Sequence, residues 1–388
     1  MRTFFFSVLG VLLALSAVAW RMEPTGIENG KQVLIWASDD NPMRAAQIAL
    51  FEKQNPKYVV NLDYNNADVE KVIVQSAAGV GPDFFDSYSP DQLTAYVRAG
   101  IAWDVTDELK KMGLDVRKMT WSAVWPDCIY EGRVYGFPTN AAVDGIWFNK
   151  DIFEEAGIAY PKGPWQWSQF VQLAKKFIRR DSTGKITQYG ILLDWWDVWP
   201  QFVLQWGGNL YTKKGTRCTL DSPEAIAGIQ FMRDLIYKYH VEPRPADEAS
   251  MAAGGGWGGS GNGVMTIFEA GKAAMGLGGR YWLCTMRKFP NLHVGVAECP
   301  YHDKQIFRGY GKATLINKDS PHRQEALNWF KYEASKQYND LINHQADGVG
   351  PIIKYTETPE FLHDPDFPDE TYNAVWRQMQ KAAIAERG

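Results

Sequence analysis

From Lys31 onward the apolar positions alternate between two periods. Gln32 to Ser38, "QVLIWAS", is a short β-branched run that predicts a buried strand. In the following "DDNPMRAAQIALFEKQNP", Asp39 to Asn41 offer a helix cap, Pro42 suits the first turn and Asn55-Pro56 ends the helix. "KYVVNLDYN" predicts a second strand, "ADVEKVIVQSAAG" a second helix, and "PDFFDSYS" a third strand leading into a helix that ends at Gly100. Strands separated by helices imply parallel pairing through crossovers, and so an α/β lobe.

A second series begins near "GRVYGFPTNAAVDGIWFNKDIFEEAG", with the Pro138 region as a crossing between lobes. "WSQFVQLAKKFIRRDSTG" and "PEAIAGIQFMRDLIYKYH" carry apolar residues three and four apart and predict amphipathic helices. "HVGVAECP" predicts a strand, and "SPHRQEALNWFKYEASKQYNDLINHQ" long helical sequence capped by Ser320. The tail is a Pro-punctuated loop and one last helix, Glu370 to Glu386. Met251 to Gly263, "MAAGGGWGGSGNG", suits a mobile loop better than a domain linker.

Composition narrows the class. The 388 residues suit two domains, and a hydrophobic content of 45% with 22% charged residues is that of a globular protein. A net charge of −4, with "KKFIRR" (Lys175 to Arg180) as the longest basic run, excludes a nucleic-acid partner. That run reads as the solvated face of a helix. At the N-terminus Arg2 precedes the apolar run Phe4 to Trp20, which ends in Ala17-Val18-Ala19. This describes a secretory signal peptide over residues 1–19, with an uncleaved anchor as the alternative. The expected location is periplasmic or extracellular. Cys128, Cys218, Cys284 and Cys299 lie far apart without a C-x-x-C pair, so disulfides and buried free thiols both stay open, and no zinc spacing occurs.

The enzyme motifs fail on chemistry. Gly271-Lys272 in "FEAGKAAMGLGGRYW" is followed by Ala273 and closes a helix instead of opening one, so neither the magnesium hydroxyl nor the helix dipole of a P-loop is available. Gly271 reads as the glycine after a helix, with "KAAMGL" as the next strand. Gly254 to Gly259 matches G-x-G-x-x-G, but in a glycine run with no strand before it and no acidic residue at the required distance after it. G-x-S-x-G breaks at Asn262, and H-E-x-x-H is absent. The carboxylates Asp39-Asp40 and Asp194/Asp197 could serve a glycosidase, or bind hydroxyl groups without reacting.

The chain has 16 tryptophans, several of them in predicted loops. Trp121, Trp125, Trp329 and Trp376 sit in helical patterns and read as core. Trp195, Trp196 and Trp282 have polar or glycine neighbours and read as ligand contacts, while Trp36 and Trp257 fit either role. Aromatic faces stack on sugar C–H faces, and Asp and Arg take sugar hydroxyls through charge-assisted hydrogen bonds.

Six stretches in order resemble the extracellular solute-binding proteins of carbohydrate ABC importers, the maltose-binding-protein class. They are "VLIWAS" with its helix, "AAGVGPDFFD", "VYGFPTNAAVDGIWFNKDIFEEAGI", "PWQWSQFVQLAKKF", "FEAGKAAMGLGGRYW" and "DGVGPI", and together they span roughly Gln32 to Gly388. The stretch "PWQWSQFVQLAKKF" departs from the family pattern, with Gln166 where threonine is usual. The resemblance implies an α/β, two-lobed periplasmic-binding-protein fold of type II, hinge-linked with a ligand cleft between the lobes. It implies lobe one at 31–137 plus 299–345 and lobe two at 138–298 plus 346–388. It also expects further helical sequence after Met379. The implied function is capture of a sugar or oligosaccharide and delivery to ABC transporter permease subunits, by a monomer without cofactor or metal. A secreted carbohydrate-active hydrolase and a sensory binding protein are the alternatives. Without a cysteine near the signal junction, a free periplasmic protein is expected over a lipid-anchored one. The residues expected to contact ligand are Trp36, Asp39, Asp40, Ser87, Tyr88, Trp195, Trp196, Asp197, Trp257, Arg280, Tyr281, Trp282, Arg308 and Tyr310.

Overall fold

The computed structural model describes residues 26–193, 195–212, 215–251 and 263–385. The segment read as a signal peptide, Asp194, Trp257 with most of its glycine loop, and the last three residues lie outside them. No helix among the described residues is long and apolar enough to cross a membrane.

Two sheets organise the chain. In the first, strand Lys31–Ala37 pairs in parallel with Tyr58–Leu62 on one side and Phe84–Ser87 on the other. This is the strand–helix–strand pattern of the sequence carried through, with helix Met43–Gln54 as the first crossover. Strand Arg308–Ile316 lies beyond Phe84–Ser87 and runs antiparallel to it and to Gly136–Val143. The second sheet has the order Val294–Glu298, Gly145–Asn149, Ala273–Gly278, Ile186–Leu193, Arg179–Arg180.

Each sheet carries its own core. Leu34, Trp36, Phe51, Phe84 and Trp329 pack together on the first, and Trp147, Phe153, Phe170, Phe202 and Met275 on the second. The chain passes between the sheets at Asp144, which separates strands Gly136–Val143 and Gly145–Asn149. It passes again between Glu298 and Arg308. A third passage runs through 346–349, where Ala346 and Val349 pack into the second core while Ile342 and Ile352 pack into the first. Here Val349 bridges Ala141, and Gly348 takes φ +85° with its α-carbon so close that an added Cβ would stand 2.7 Å from the Ala141 carbonyl oxygen. Only glycine meets both conditions.

Several local expectations changed. Arg308 and Tyr310, expected as ligand contacts and flanked by glycines in "FRGYGKA", lie in the nine-residue strand Arg308–Ile316. Its glycines hid the β pattern, and they are there because the strand is packed closely. A Cβ on Gly309 would lie 2.3 Å from Ala123, and one on Gly311 would lie 2.7 Å from the Asn140 carbonyl oxygen. The loop expected around Trp195 is helix Trp195–Gln205, whose Val198, Phe202 and Val203 are buried. The single helical stretch after Ser320 is two helices, Arg323–Glu333 and Lys336–Gln345, with the Ser335 hydroxyl capping the second through Tyr338 N. The last helix is Asn373–Ala382, shorter than expected. "KKFIRR" divides between the end of a helix at Lys175 and the edge strand Arg179–Arg180. Gly271 does follow helix Gly263–Glu269 at φ +66°, and strand Ala273–Gly278 comes next. All four cysteines are free thiols.

Candidate functional site

The carboxyl ends of the first sheet's parallel strands build one polar wall. Strand Lys31–Ala37 gives way to Ser38, Asp39 and Asp40 before helix Met43–Gln54, and Tyr88 follows strand Phe84–Ser87. Asp39 accepts from Arg44 Nε at 2.8 Å, from the terminal Arg44 nitrogen at 3.1 Å and from the Tyr88 hydroxyl at 2.9 Å. Burial alone would favour a protonated Asp39, but the Arg44 and Lys312 charges outweigh it and hold the carboxyl well below the usual carboxylate range. Burial and then the Asp39 charge push the Tyr88 hydroxyl well above its usual range, so it stays a proton donor. The Asp39 side chain keeps 16% of its surface exposed, and Asp40 is exposed.

Asp40 opens a groove of about 540 Å³ with Asn41, Asn61, Leu62 and Tyr64 along the ends of strands Lys31–Ala37 and Tyr58–Leu62. The Tyr64 ring is largely exposed there. Behind the wall, Lys312 and Asp86 form a buried ion pair at 2.9 Å. Asp86 also takes the Trp36 indole N–H at 3.0 Å and the Ser38 hydroxyl.

A second wall forms where the chain passes between sheets. Asp144 is fully buried and accepts the Tyr310 hydroxyl at 2.8 Å, with Arg308 at 3.5 Å. The Arg308 guanidinium lies 3.9 Å from the centre of the Tyr310 ring. Its backbone N–H donates to Gln201 Oε1 at 2.5 Å, which ties helix Trp195–Gln205 to this strand. Tyr281 and Tyr310 are both half-buried and converge on Gly279. A Cβ there would meet the Tyr281 ring at 2.3 Å and the Tyr310 hydroxyl at 3.2 Å. The last helix closes the foot of this wall, since a Cβ on Gly145 would meet Trp376 at 3.0 Å.

The expected site residues separate into groups. Asp39, Asp40 and Tyr88 come together on the first wall, and Tyr281, Arg308 and Tyr310 on the second. Trp195, Trp196 and Asp197 open helix Trp195–Gln205, adjoining the second wall through Gln201. Trp36, Ser87 and Trp282 are turned into the protein's own interior. Trp36 packs on Trp329 at 4.8 Å, Ser87 Oγ donates to the Ser89 carbonyl at 3.2 Å, and Trp282 covers Gly276 and Gly278. Arg280 is also interior. It donates to Asn373 at 3.0 Å and to the Gly348 and Asn343 carbonyls at 2.9 Å each, and burial lowers its pKa to about 10. Trp257 lies outside the described residues.

Sequence reading missed Arg44, Tyr64, Asn61 and Lys312. Tyr64 and Asn61 had a signal, since they stand at the carboxyl end of a parallel strand, where open α/β sheets place their ligands. Arg44 and Lys312 had none, because a charged residue inside a helix or strand pattern reads as surface. Among the described residues His344, Asp364 and Asp366 bring metal-ligand-type atoms within 4.8 Å of one another. His344 Nδ1 already lies 3.0 Å from an Asp364 carboxylate oxygen, so two of the three groups are partnered with each other.

The model of the family "bacterial extracellular solute-binding protein" matches residues 36–340. The chain belongs to this family. One relative, the arabinooligosaccharide-binding protein of Halalkalibacterium halodurans, is 32% identical over 111 residues, 29% of this chain and 24% of its own length. Two solved structures share the fold over nearly the whole chain. An ABC substrate-binding protein from Listeria monocytogenes in complex with cycloalternan superposes with a TM-score of 0.76 at 21% identity, covering 92% of this chain and 88% of that one. UgpB from Mycobacterium tuberculosis in complex with glycerophosphocholine superposes with a TM-score of 0.73 at 15% identity, with the same coverage. This solute-binding protein therefore has the two-lobed α/β fold of those structures.

Proposed function

We propose that this solute-binding protein captures a neutral saccharide between its two walls, closes over it, and delivers it to an ABC-type permease without reacting with it. The observation that carries this reading is Asp39, a partly exposed carboxylate fixed by Arg44 and Tyr88 at the carboxyl ends of the first sheet's parallel strands, beside a groove that Asp40 and Tyr64 line. Such a carboxylate accepts hydroxyl groups, and the Tyr64, Tyr281 and Tyr310 rings suit sugar faces. The arabinooligosaccharide named for one relative and the cycloalternan named for one structure agree with this chemistry.

Charge distribution favours a neutral ligand over a phosphate ester of the kind named for UgpB. Arg280 spends its guanidinium on two backbone carbonyls and Asn373, Lys312 is paired with Asp86, Arg44 with two carboxylates and Arg308 with Asp144. Binding is favoured over hydrolysis for a related reason. A glycosidase acid must hold a proton at neutral pH, and Asp39 does not. We assign lobe one to roughly 31–143 plus 308–345 and lobe two to 145–298 plus 346–382, with the first crossing at Asp144 instead of Pro138 and Ile384–Ala385 back on the first sheet. Monomeric behaviour and a location outside the cytoplasmic membrane belong to the same proposal.

The test is a tryptophan-fluorescence titration against mono- and oligosaccharides, sugar phosphates and glycerophosphocholine, with the ligand recovered and analysed. Saturable binding of an intact saccharide is expected. Recovery of cleaved sugar would establish the hydrolase instead.

A further inference from the structure

One guanidinium joins the ligand wall to the third passage between the lobes. Arg44 sits on helix Met43–Gln54 with 2% of its side chain exposed and grips Asp39 with two nitrogens, at 2.8 and 3.1 Å. Its remaining terminal nitrogen donates to Asp347 and, at 3.0 Å, to Gln47 Oε1. Gln47 Nε2 in turn donates to Asp347 at 3.1 Å. Asp347 is only 4% exposed and lies in the 346–349 segment that passes from one core to the other. That segment is held from the other side as well. The Asp347 carbonyl accepts from Asn140 at 2.9 Å, and the Gly348 carbonyl accepts from Arg280 at 2.9 Å.

We propose that Arg44 is a positioning residue that couples ligand capture to lobe closure, by sharing one positive charge between the ligand-facing Asp39 and the crossing-segment Asp347. The proposal rests on the reading of Asp39 as a ligand acceptor. Ligand hydroxyls that donate to Asp39 satisfy part of the negative charge that Arg44 faces. The guanidinium's attraction then shifts toward Asp347 and stiffens the crossing in the closed arrangement. Linkage makes the effect reciprocal, so a change at Asp347 alters how firmly Asp39 is held for the ligand. Residues joined in one buried ion network are the setting in which mutational effects fail to add.

The experiment uses the full chain and its Asp39→Asn, Asp347→Asn, Asp39→Asn/Asp347→Asn and Arg44→Lys variants. An arabino-oligosaccharide and cycloalternan are the titrants, and small-angle X-ray scattering reads lobe separation with and without them. Asp347→Asn touches no ligand in this reading, yet it is expected to weaken binding by roughly tenfold and to shift the ligand-free scattering profile. The double variant is expected to fall several-fold short of the product of the two single effects. Arg44→Lys keeps the charge but loses the fork, and it is expected to behave like Asp347→Asn, which covers the case of a variant that does not fold. Multiplying effects, or wild-type binding and scattering in both Asp347→Asn and Arg44→Lys, would overturn the coupling. A wild-type chain that binds neither titrant defeats the saccharide reading alone. The coupling is then decided by ligand-free scattering, where an unshifted profile in both variants overturns it.

Discussion

Two carboxyls with opposite environments, Asp39 partly exposed and Glu333 fully buried, make the residue-scale predictions. Asp39 is held ionised by Arg44 and Lys312 against its burial, so its folded pKa lies below its unfolded value. Its contribution is present above the ordinary carboxylate range and disappears only as pH falls through the lowered folded value. Saccharide affinity is therefore expected to stay flat between pH 8 and about 5. Titrations at both ends of that window check this, and a marked drop by pH 5 would show that Asp39 protonates there. Asp39→Asn is expected to weaken binding by roughly ten- to a hundredfold, the size of a lost charge-assisted hydrogen bond. Glu333 is the reverse case. Burial pushes its pKa well above the usual value, while Thr139, Thr314 and the Trp329 indole all donate to one of its oxygens. A raised acid pKa means stability that is complete below the unfolded value and is lost as pH rises toward the folded one. Glu333→Gln is thus expected to gain on the wild type by up to about 1.4 kcal/mol per pH unit above pH 4.5, measured by urea unfolding at pH 5, 7 and 9. Parallel curves at all three values would mean Glu333 is ionised in the fold. Neither environment could be read from the sequence. Asp39 was chosen for its place after a strand, while Arg44, Lys312 and Glu333 acquire their roles only from burial against residues distant in the chain.

Elements built from local pattern were readable, and those defined by contact were not. The first strand–helix–strand unit followed from periodicity, with Pro42 and Asn55-Pro56 marking the helix near its observed limits of Met43 and Gln54. The turn at Gly271 was readable because a helix-ending glycine has one conformational reason to be there. Strand Arg308–Ile316 was not, although it pairs with both neighbours in the middle of the first sheet, because its glycines answer to Ala123 and Val124 packed closely on it and to the Asn140 carbonyl of the paired strand. Gly311→Ala tests this reason. Its Cβ would stand 2.7 Å from a backbone oxygen and 2.8 Å from Val124. A loss of about 1–3 kcal/mol is expected in urea unfolding. A variant as stable as the wild type would mean that this packing is loose. Helix Trp195–Gln205 was read as a loop because its aromatic and acidic first turn masked the apolar stripe Val198, Phe202 and Val203 behind it.

At the scale of the molecule, the two lobes and the cleft between them followed from six motifs in order. Which residues face that cleft did not. Trp36, Trp282 and Arg280 have the right chemistry and lie on the right segments, but side-chain direction turns each into the interior. The lobes also touch directly at the rim. The Tyr211 hydroxyl donates to Asp91 at 3.1 Å, with Asp91 exposed and Tyr211 half-buried, so the bond is a weak aid to closure. Tyr211→Phe is expected to weaken saccharide binding by no more than about fivefold and to leave thermal stability unchanged. A large fall in melting temperature would assign Tyr211 to the core instead. The most direct test of capture without chemistry is a calorimetric titration of the intact chain with an arabino-oligosaccharide and with glycerophosphocholine, followed by analysis of the recovered ligands. Saturable heat with the saccharide, little or none with the phosphodiester, and a saccharide returned whole is the expected result. Preference for the phosphodiester, or a saccharide returned in pieces, would contradict it.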